Sequence, residues 1–257
     1  MNRPDATQME EKLGELLFDL SSSDRLTLLK EIEREKLRLT QLATRLSATA
    51  QETSRHLTRL AHNGLISKDP EGMYSLTPFG KAVLRLMPSI DFLCHHKNYF
   101  LSHDVLSLPP SFLERIGELS ESVRVERLGG VLGHMLQVIG EAKQFVWLMA
   151  DQVLTMDPSS RQKLTQQGIS VRTIIPASEL SSIPRSAREA IPANMEVRFA
   201  DRVCAGISMN DVMAGVVFPD MNGRIDFSTG FGGSGQGVYG WCRDLFLYHW
   251  QKARKLV

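Results

Sequence analysis

Thr49-Ala50-Gln51-Glu52-Thr53-Ser54-Arg55-His56-Leu57-Thr58-Arg59-Leu60-Ala61-His62-Asn63-Gly64 decides the reading of the first third of this chain. Thr49 with Glu52 three residues on is a capping box. The Thr49 hydroxyl serves a free amide of the first turn, and the Glu52 carboxylate reaches back to the Thr49 amide. Asn63-Gly64 stops the helix. Thr53, Leu57 and Leu60 form its inner face. At about 100° per residue the opposite face carries Gln51, Arg55, Thr58 and His62. Gln and Arg end in planar forks that match adenine and guanine edges in a major groove. Ser54 and Arg59 flank this stripe and suit phosphate oxygens, which fix register.

Upstream, Leu13, Leu16, Leu17 and Leu20 make one apolar helix face. Ser21-Ser22-Ser23-Asp24 breaks it and caps a second helix with Leu26, Leu29 and Ile32 inward. The charged run Glu31–Lys36 is its solvated face. Thr40 is the expected cap of a short helix, Gln41–Leu46, and Ser47-Ala48 the tight turn before Thr49. Downstream, Leu65–Lys68 and Met73–Leu76 read as strands around the turn Asp69-Pro70-Glu71-Gly72. Thr77-Pro78 opens another helix. Residues 24–86 thus run helix, helix, helix, hairpin, helix, which is the order of a winged helix-turn-helix. The expected DNA contacts are Thr49, Gln51, Ser54, Arg55, Thr58 and Arg59, with Lys68 and Tyr74 on the wing.

Charge supports this placement. The 257 residues carry a net charge of only +1, so the chain as a whole is no polycation. From Lys36 to Lys68, however, six basic residues face Glu52 alone, a local charge of +5. Phosphate binding needs that focusing. No apolar run is long enough to span a membrane. Met1–Glu11 carries Arg3, Asp5, Glu10 and Glu11 and has no apolar core, so a signal peptide is not expected and the location is read as cytoplasmic. Cys94, Cys204 and Cys242 are too far apart for a metal pair and read as buried small hydrophobes. Neither metal nor cofactor is expected.

From about residue 125 the pattern changes. A helix near Val131–Ala142, a strand Phe145–Met149, a helix Pro158–Gln167 and a strand Val171–Ile175 follow one another. Pro176–Pro192 reads as a loop or short helix. Strand candidates are Met195–Phe199, Gly206–Met209, Val212–Phe218 and Arg224–Phe227, and a helix runs from about Val238 to Lys255. Such alternation indicates an α/β domain. The expected organisation is a DNA-binding domain over 1–88, a helical linker and dimerisation segment over 89–124 with Pro88 as a break and a helix starting in Ser111–Leu119, and an α/β sensor over 125–257. Asp151 and Asp226 lie at predicted strand ends, where α/β domains hold ligands. Trp147, Arg172 and Arg202 complete the candidate ligand set, although core packing is the default for the aromatic residues.

Two motifs point elsewhere. Gly230-Phe231-Gly232-Gly233-Ser234-Gly235 spells G-x-G-x-x-G after a predicted strand. Only 22 residues follow Gly235, too few for the helix, strand and ribose-binding acid of a dinucleotide site, so the run reads as a mobile glycine loop or an anion-binding nest. His95-His96-Lys97 begins like the H-x-K-x(4)-D motif of phospholipase D-type hydrolases. Ser102 occupies the Asp position and there is no second copy. The sensor could share that fold without its chemistry.

Two resemblances join these readings. Residues 38–86 resemble winged-helix repressors of the arsenic-repressor type, through Ala50-Gln51-Glu52-Thr53-Ser54-Arg55-His56-Leu57 and Leu76-Thr77-x-x-Gly80. This implies that Gln51, Ser54 and Arg55 touch DNA and that the hairpin near Lys68–Tyr74 lies on the backbone or minor groove. Metal sensing does not carry over, since residues 1–88 contain no cysteine. Val216-Val217-Phe218-Pro219-Asp220, Gly223-Arg224-Ile225-Asp226 and Trp241-Cys242-x-Asp244-Leu245-Phe246 with Trp250 resemble the archaeal regulators named for the middle domain of a methanogenesis regulatory protein. That implies a transcription regulator with an effector or interaction domain. The expectation is a homodimer reading a palindromic operator in double-stranded DNA, switched by an unknown small molecule. The rivals are a winged-helix protein-interaction module and a phospholipase D-like enzyme with a DNA-binding appendage.

Overall fold

The computed structural model describes residues 6–126, 128–153, 157–184, 188 and 191–255. The chain divides into two compact units, Met1–Met87 and Pro88–Val257.

The first unit is a winged helix-turn-helix. It contains α1 (Ala6–Leu20), α2 (Ser23–Arg34), β1 (Leu37–Arg38), α3 (Leu39–Leu46), α4 (Ala50–His62), β2 (Ile66–Lys68), β3 (Met73–Leu76) and the start of α5 (Pro78–His95). Leu28, Leu29, Ile32, Leu42, Leu57, Leu60 and Leu65 form its core. Ser47 takes φ 55°, the left-handed geometry that turns α3 into α4. The wing is an antiparallel sheet of order β1-β3-β2. β1 was not anticipated, because two residues show no period. Its Leu37 pairs with Tyr74 and its Arg38 with Met73. Thr40 is not the cap of α3. That helix begins at Leu39, and the Arg38 amide donates to Gln41 Oε1 at 2.9 Å.

The exit from the wing shows why its sequence is Thr-x-x-Gly. The Thr77 hydroxyl donates to the Gly64 carbonyl at 2.5 Å and accepts the Gly80 amide at 2.9 Å. A Cβ on Gly80 would lie 2.0 Å from the Leu65 carbonyl oxygen. Only glycine lets α5 start so close to the recognition helix's exit strand.

Pro88 does not break α5, which runs on to His95. A proline inside a helix removes one backbone bond and costs about 3 kcal/mol. Local packing holds this turn. Ser89 Oγ donates to the Glu114 carbonyl at 2.6 Å and accepts the Gly117 amide at 3.1 Å.

The second unit adds α6 (Lys97–Phe100), α7 (Pro110–Glu114), a 3-10 turn (Ile116–Glu121), β4 (Val123–Glu126), α8 (Leu128–Glu141), β5 (Phe145–Met149), α9 (Pro158–Gln166), β6 (Ser170–Pro176) and a 3-10 turn (Ala177–Ser182). β7 (Met195–Ala200), β8 (Gly206–Asn210), β9 (Ala214–Val217), β10 (Thr229–Gly233), α10 (Gln236–Lys252) and β11 (Arg254–Lys255) complete it. The strands form one sheet of order β11-β7-β6-β5-β8-β9-β10-β4. The β5–β6 and β6–β7 pairs are parallel and the others antiparallel. Alternation along β5 separates its faces. Val146 and Leu148 pack with Ile139 of α8 and Leu164 of α9. Trp147 and Met149 pack with the cluster that contains Trp241, Leu245 and Phe246 of α10. The unit is a mixed sheet with helices on both faces.

Several expectations are corrected here. Residues 89–124 are no separate linker. Phe92, Tyr99, Leu108, Phe112, Ile116 and Leu119 are core residues of the second unit, and β4 is an edge strand of its sheet. Ser111–Leu119 is not one helix but α7 followed by a 3-10 turn. Arg224–Phe227 is no strand. It is a turn closed by the Pro219–Ile225 bridge and by Asp220, whose carboxylate accepts the Arg224 amide at 3.0 Å. The glycine run is not a mobile loop either: Gly230–Gly233 lie in β10, paired on both sides. In Pro176–Pro192, residues 185–187 and 189–190 lie outside the described residues. Cys94 is exposed, whereas Cys204 and Cys242 are buried.

Candidate nucleic-acid interface

α4 is capped as its sequence requires. The Glu52 amide donates to Thr49 Oγ1 at 3.2 Å, and the Thr49 amide donates to Glu52 Oε2 at 3.1 Å. The Thr49 hydroxyl also donates to Glu52 Oε2 at 2.8 Å. These bonds hold the Glu52 carboxyl below its ordinary range. Thr53, Leu57 and Leu60 are buried beneath the helix. Gln51, Arg55, Thr58, Arg59 and His62 are exposed on it, and Ser54 is half-buried. Ser54, Arg55, Thr58, Arg59 and His62 line one shallow concavity. The stripe read from the sequence is therefore a continuous outward surface. Thr58 turns its hydroxyl onto the Ser54 carbonyl at 2.8 Å.

The structure sorts the cations. Arg45 reaches Glu31 and Glu35, each at 2.5 Å. Arg59 donates through Nε to Asp19, and its guanidinium lies 4.3 Å from the Phe18 ring centroid. Asn63 Nδ2 donates to the same carboxylate. Arg25 donates to the Asp19 and Phe18 carbonyls, both at 2.7 Å. Asp19 is wholly buried, so it needs these partners. Arg59 is thus engaged in holding α1 to α4. Lys36 faces Asp69 at 3.9 Å. Among the described residues Arg55 forms no ion pair and no hydrogen bond through its side chain. The local charge of +5 is therefore reduced at the surface, and Arg55 is the cation left at the middle of the reading face.

The wing projects beside it. The Met73 amide donates to Asp69 Oδ1 at 2.7 Å and Gly72 takes φ 84°, which closes the turn. Lys68 is paired across the strands with Tyr74, its Nζ 5.5 Å from the ring centroid. Lys68 is exposed and Tyr74 half-buried.

The candidate ligand residues of the second unit do not converge. Trp147 and Arg172 are neighbours in the β5–β6 register, and the Arg172 guanidinium lies 5.4 Å from the Trp147 ring and 5.1 Å from that of Trp250. Asp151 and Asp226 serve a turn instead. Asp151 Oδ2 accepts the Ile225 amide at 2.9 Å, and Asp226 Oδ2 accepts the Ser228 hydroxyl at 2.8 Å and lies 3.1 Å from His103 Nε2. Burial opposes ionisation of Asp226, but the Ser228 and His103 bonds keep its carboxyl below the usual range. Arg202 is exposed. The His95-His96-Lys97 run sits at the α5–α6 junction, where the rings of His95 and His96 pack 4.8 Å apart and His96 meets Phe231.

Two pairings gave no sequence signal. Cys204 Sγ lies 3.2 Å from His249 Nε2. Burial pushes the thiol up to about 11 and the imidazole down to about 4, so both are neutral at pH 7. Such a thiol is a poor nucleophile. His134 of α8 rests on the glycines of β9 and β10, with its Nε2 buried and unpartnered. Among the described residues no group of three or more His, Cys, Asp or Glu could hold a metal ion. No described helix is long and apolar enough to cross a membrane.

The capped helix α4, the turn before it and the hairpin that follows define the first unit as a winged helix-turn-helix domain. Residues 14–91 match the family model described as the HVO_A0261 N-terminal domain. No curated protein sequence matches the chain. Among solved structures the chain is similar to TrmBL2, an archaeal chromatin protein, at 16% identity and a TM-score of 0.43, covering 86% of this chain and 88% of the other. It is similar to the homodimeric winged helix-turn-helix domain of Mb0332 from Mycobacterium bovis at 18% identity and a TM-score of 0.33, covering 37% and 90%. HlyU of Vibrio cholerae is 26% identical with a TM-score of 0.28, covering 36% and 94%.

Proposed function

We propose that this protein is a sequence-specific DNA-binding transcription regulator that acts in the cytoplasm, with the second unit as its effector domain. The observation that carries this reading is Arg55. Among the described residues it stands unpaired in the middle of the α4 outer face, between Gln51 and Thr58, while Arg45 and Arg59 are tied to carboxylates. An unpaired guanidinium amid polar forks suits a guanine edge in a major groove. Lys68 and Tyr74 on the wing suit the adjoining backbone or minor groove.

The protein works as a homodimer on a palindromic operator. Met9, Leu13 and Leu17 on α1 and Phe79 and Leu86 on α5 are large apolar side chains left exposed in one unit. Large apolar side chains left exposed in this way suit a partner surface. The second unit belongs to the middle-domain type of archaeal regulator and performs no catalysis.

Binding to the DNA upstream of its own gene tests the proposal. Arg55→Ala should weaken specific binding by about 1–3 kcal/mol, which is roughly five- to 150-fold, and relax the preference at one base pair. Its thermal stability should stay at the wild-type value. Unchanged affinity and preference in the variant would remove Arg55 from the interface. A binding constant insensitive to salt would favour a protein partner instead.

A further inference from the structure

The sheet face beneath α8 is unusually bare. Gly215 and Gly232 are register partners on β9 and β10, with Gly206 and Gly230 on the flanking positions. A Cβ on Gly215 or Gly232 would lie 2.7 or 2.8 Å from the His134 ring. Glycine weakens a strand interior, and it marks a place where something approaches the backbone closely. His134 accounts for two of these glycines and the Val217 side chain, 2.5 Å from a Cβ on Gly206 or Gly230, for the other two. Beside His134 remains a cavity of about 30 Å³ bounded by Val125, Val131, Met135, Val217 and Phe227. Among the described residues, Ser208 and His134 are the only polar side chains in its wall, and neither carries a fixed charge.

We propose that this cavity is the collapsed state of a slot for a small, neutral, ring-shaped molecule carrying one hydrogen-bonding group, with His134 Nε2 as its partner. The proposal rests on the reading of the second unit as an effector domain. Three observations support it. His134 Nε2 is buried without a partner, which is costly unless a ligand or water satisfies it. Burial holds the imidazole below its ordinary value, and a hydrogen bond to the Ala214 backbone opposes this shift. The ring is therefore neutral at pH 7. The buried Nε2 is the ring atom left without a partner at the cavity wall. The described wall residues offer no fixed charge to compensate an ionised ligand, which favours a neutral one.

As it stands the cavity holds about one water, so a larger occupant must lift α8. That helix is built to yield. Four of its 14 residues are glycine: Gly129, Gly130, Gly133 and Gly140. A Cβ on Gly129, Gly133 or Gly140 would meet nothing within 4 Å, so close packing does not require them. They weaken the helix relative to alanine and lower the cost of its displacement. Leu132 and Leu136 on its outer side are exposed and add little anchoring.

Phenol and benzene are the probes, with the full-length protein. Saturable phenol binding should move the His134 ring ¹⁵N resonance, and phenol should bind about five-fold tighter than benzene, the share of one neutral hydrogen bond. His134→Phe should abolish that preference, and Val131→Trp, which fills the slot from α8, should block both ligands. Phenol binding that leaves the His134 resonance unmoved, or equal preference in wild type and His134→Phe, would overturn the slot. Should phenol bind at His134 with no change in operator affinity, the slot stands and its effector role falls.

Discussion

Glu52 shows how one side chain sets the start of the reading helix. Its carboxylate accepts the Thr49 amide and hydroxyl, and both bonds are stronger to the ionised form. The folded-state pKa is thereby lowered. A group of this kind contributes stability above its unfolded pKa and loses it as pH falls through the folded value. Wild type should therefore be more stable than Glu52→Ala at pH 7. The difference should vanish on acidification below the ordinary glutamate range, as chemical denaturation at stepped pH would reveal. A difference that persisted in acid would assign the effect to helix propensity instead. Thr49 and Glu52 were legible because a capping box is local. Asp19 was not: its partners Arg59 and Asn63 lie 40 and 44 residues away in the chain, and no local pattern links them.

Among the elements, those with a strong period were read correctly. α4 declared itself through Thr53, Leu57 and Leu60, and β5 through an unbroken apolar run. Elements that depend on distant partners were misread. β10 looked like a loop because Gly230, Gly232 and Gly233 have no strand propensity, and it is a strand because β9 and β4 supply its bonds. Arg224–Phe227 has the composition of a strand but is claimed by Asp220 and the turn. α5 survives Pro88 because Ser89 and Gly117 hold the turn. The wing exit belongs to the legible group, and it yields a test. Gly80→Ala puts a Cβ against backbone at Leu65, which cannot rotate away. The variant should lose several kcal/mol of stability, at the upper end of what about 1–3 kcal/mol of overpacking costs. An unchanged urea midpoint would show that α5 can move aside.

For the whole molecule, the order of parts in residues 24–86 gave the first unit, whereas the second was visible only as an α/β alternation. Its face assignments, its eight-strand order and the absorption of residues 89–124 into its core depend on pairings that no window of sequence contains. The assembly is open to measurement. Leu13→Glu with Leu17→Glu places two charges on the exposed α1 face. Sedimentation should then show monomers where the wild type gives dimers, and operator affinity should fall far more than helical content. Wild-type monomers at micromolar concentration would refute the dimer.

The buried carboxylate of Asp19 has a mechanical consequence. It ends α1 and is gripped by Arg59 and Asn63 at the far end of α4. Burial leaves it no water to exchange these partners for. α1 therefore cannot roll without turning α4 through the same joint. If α1 is the seam between two copies, a shift at the seam is transmitted by this crank to the pitch of both reading helices, and the spacing at which they meet successive grooves is set by a single acid.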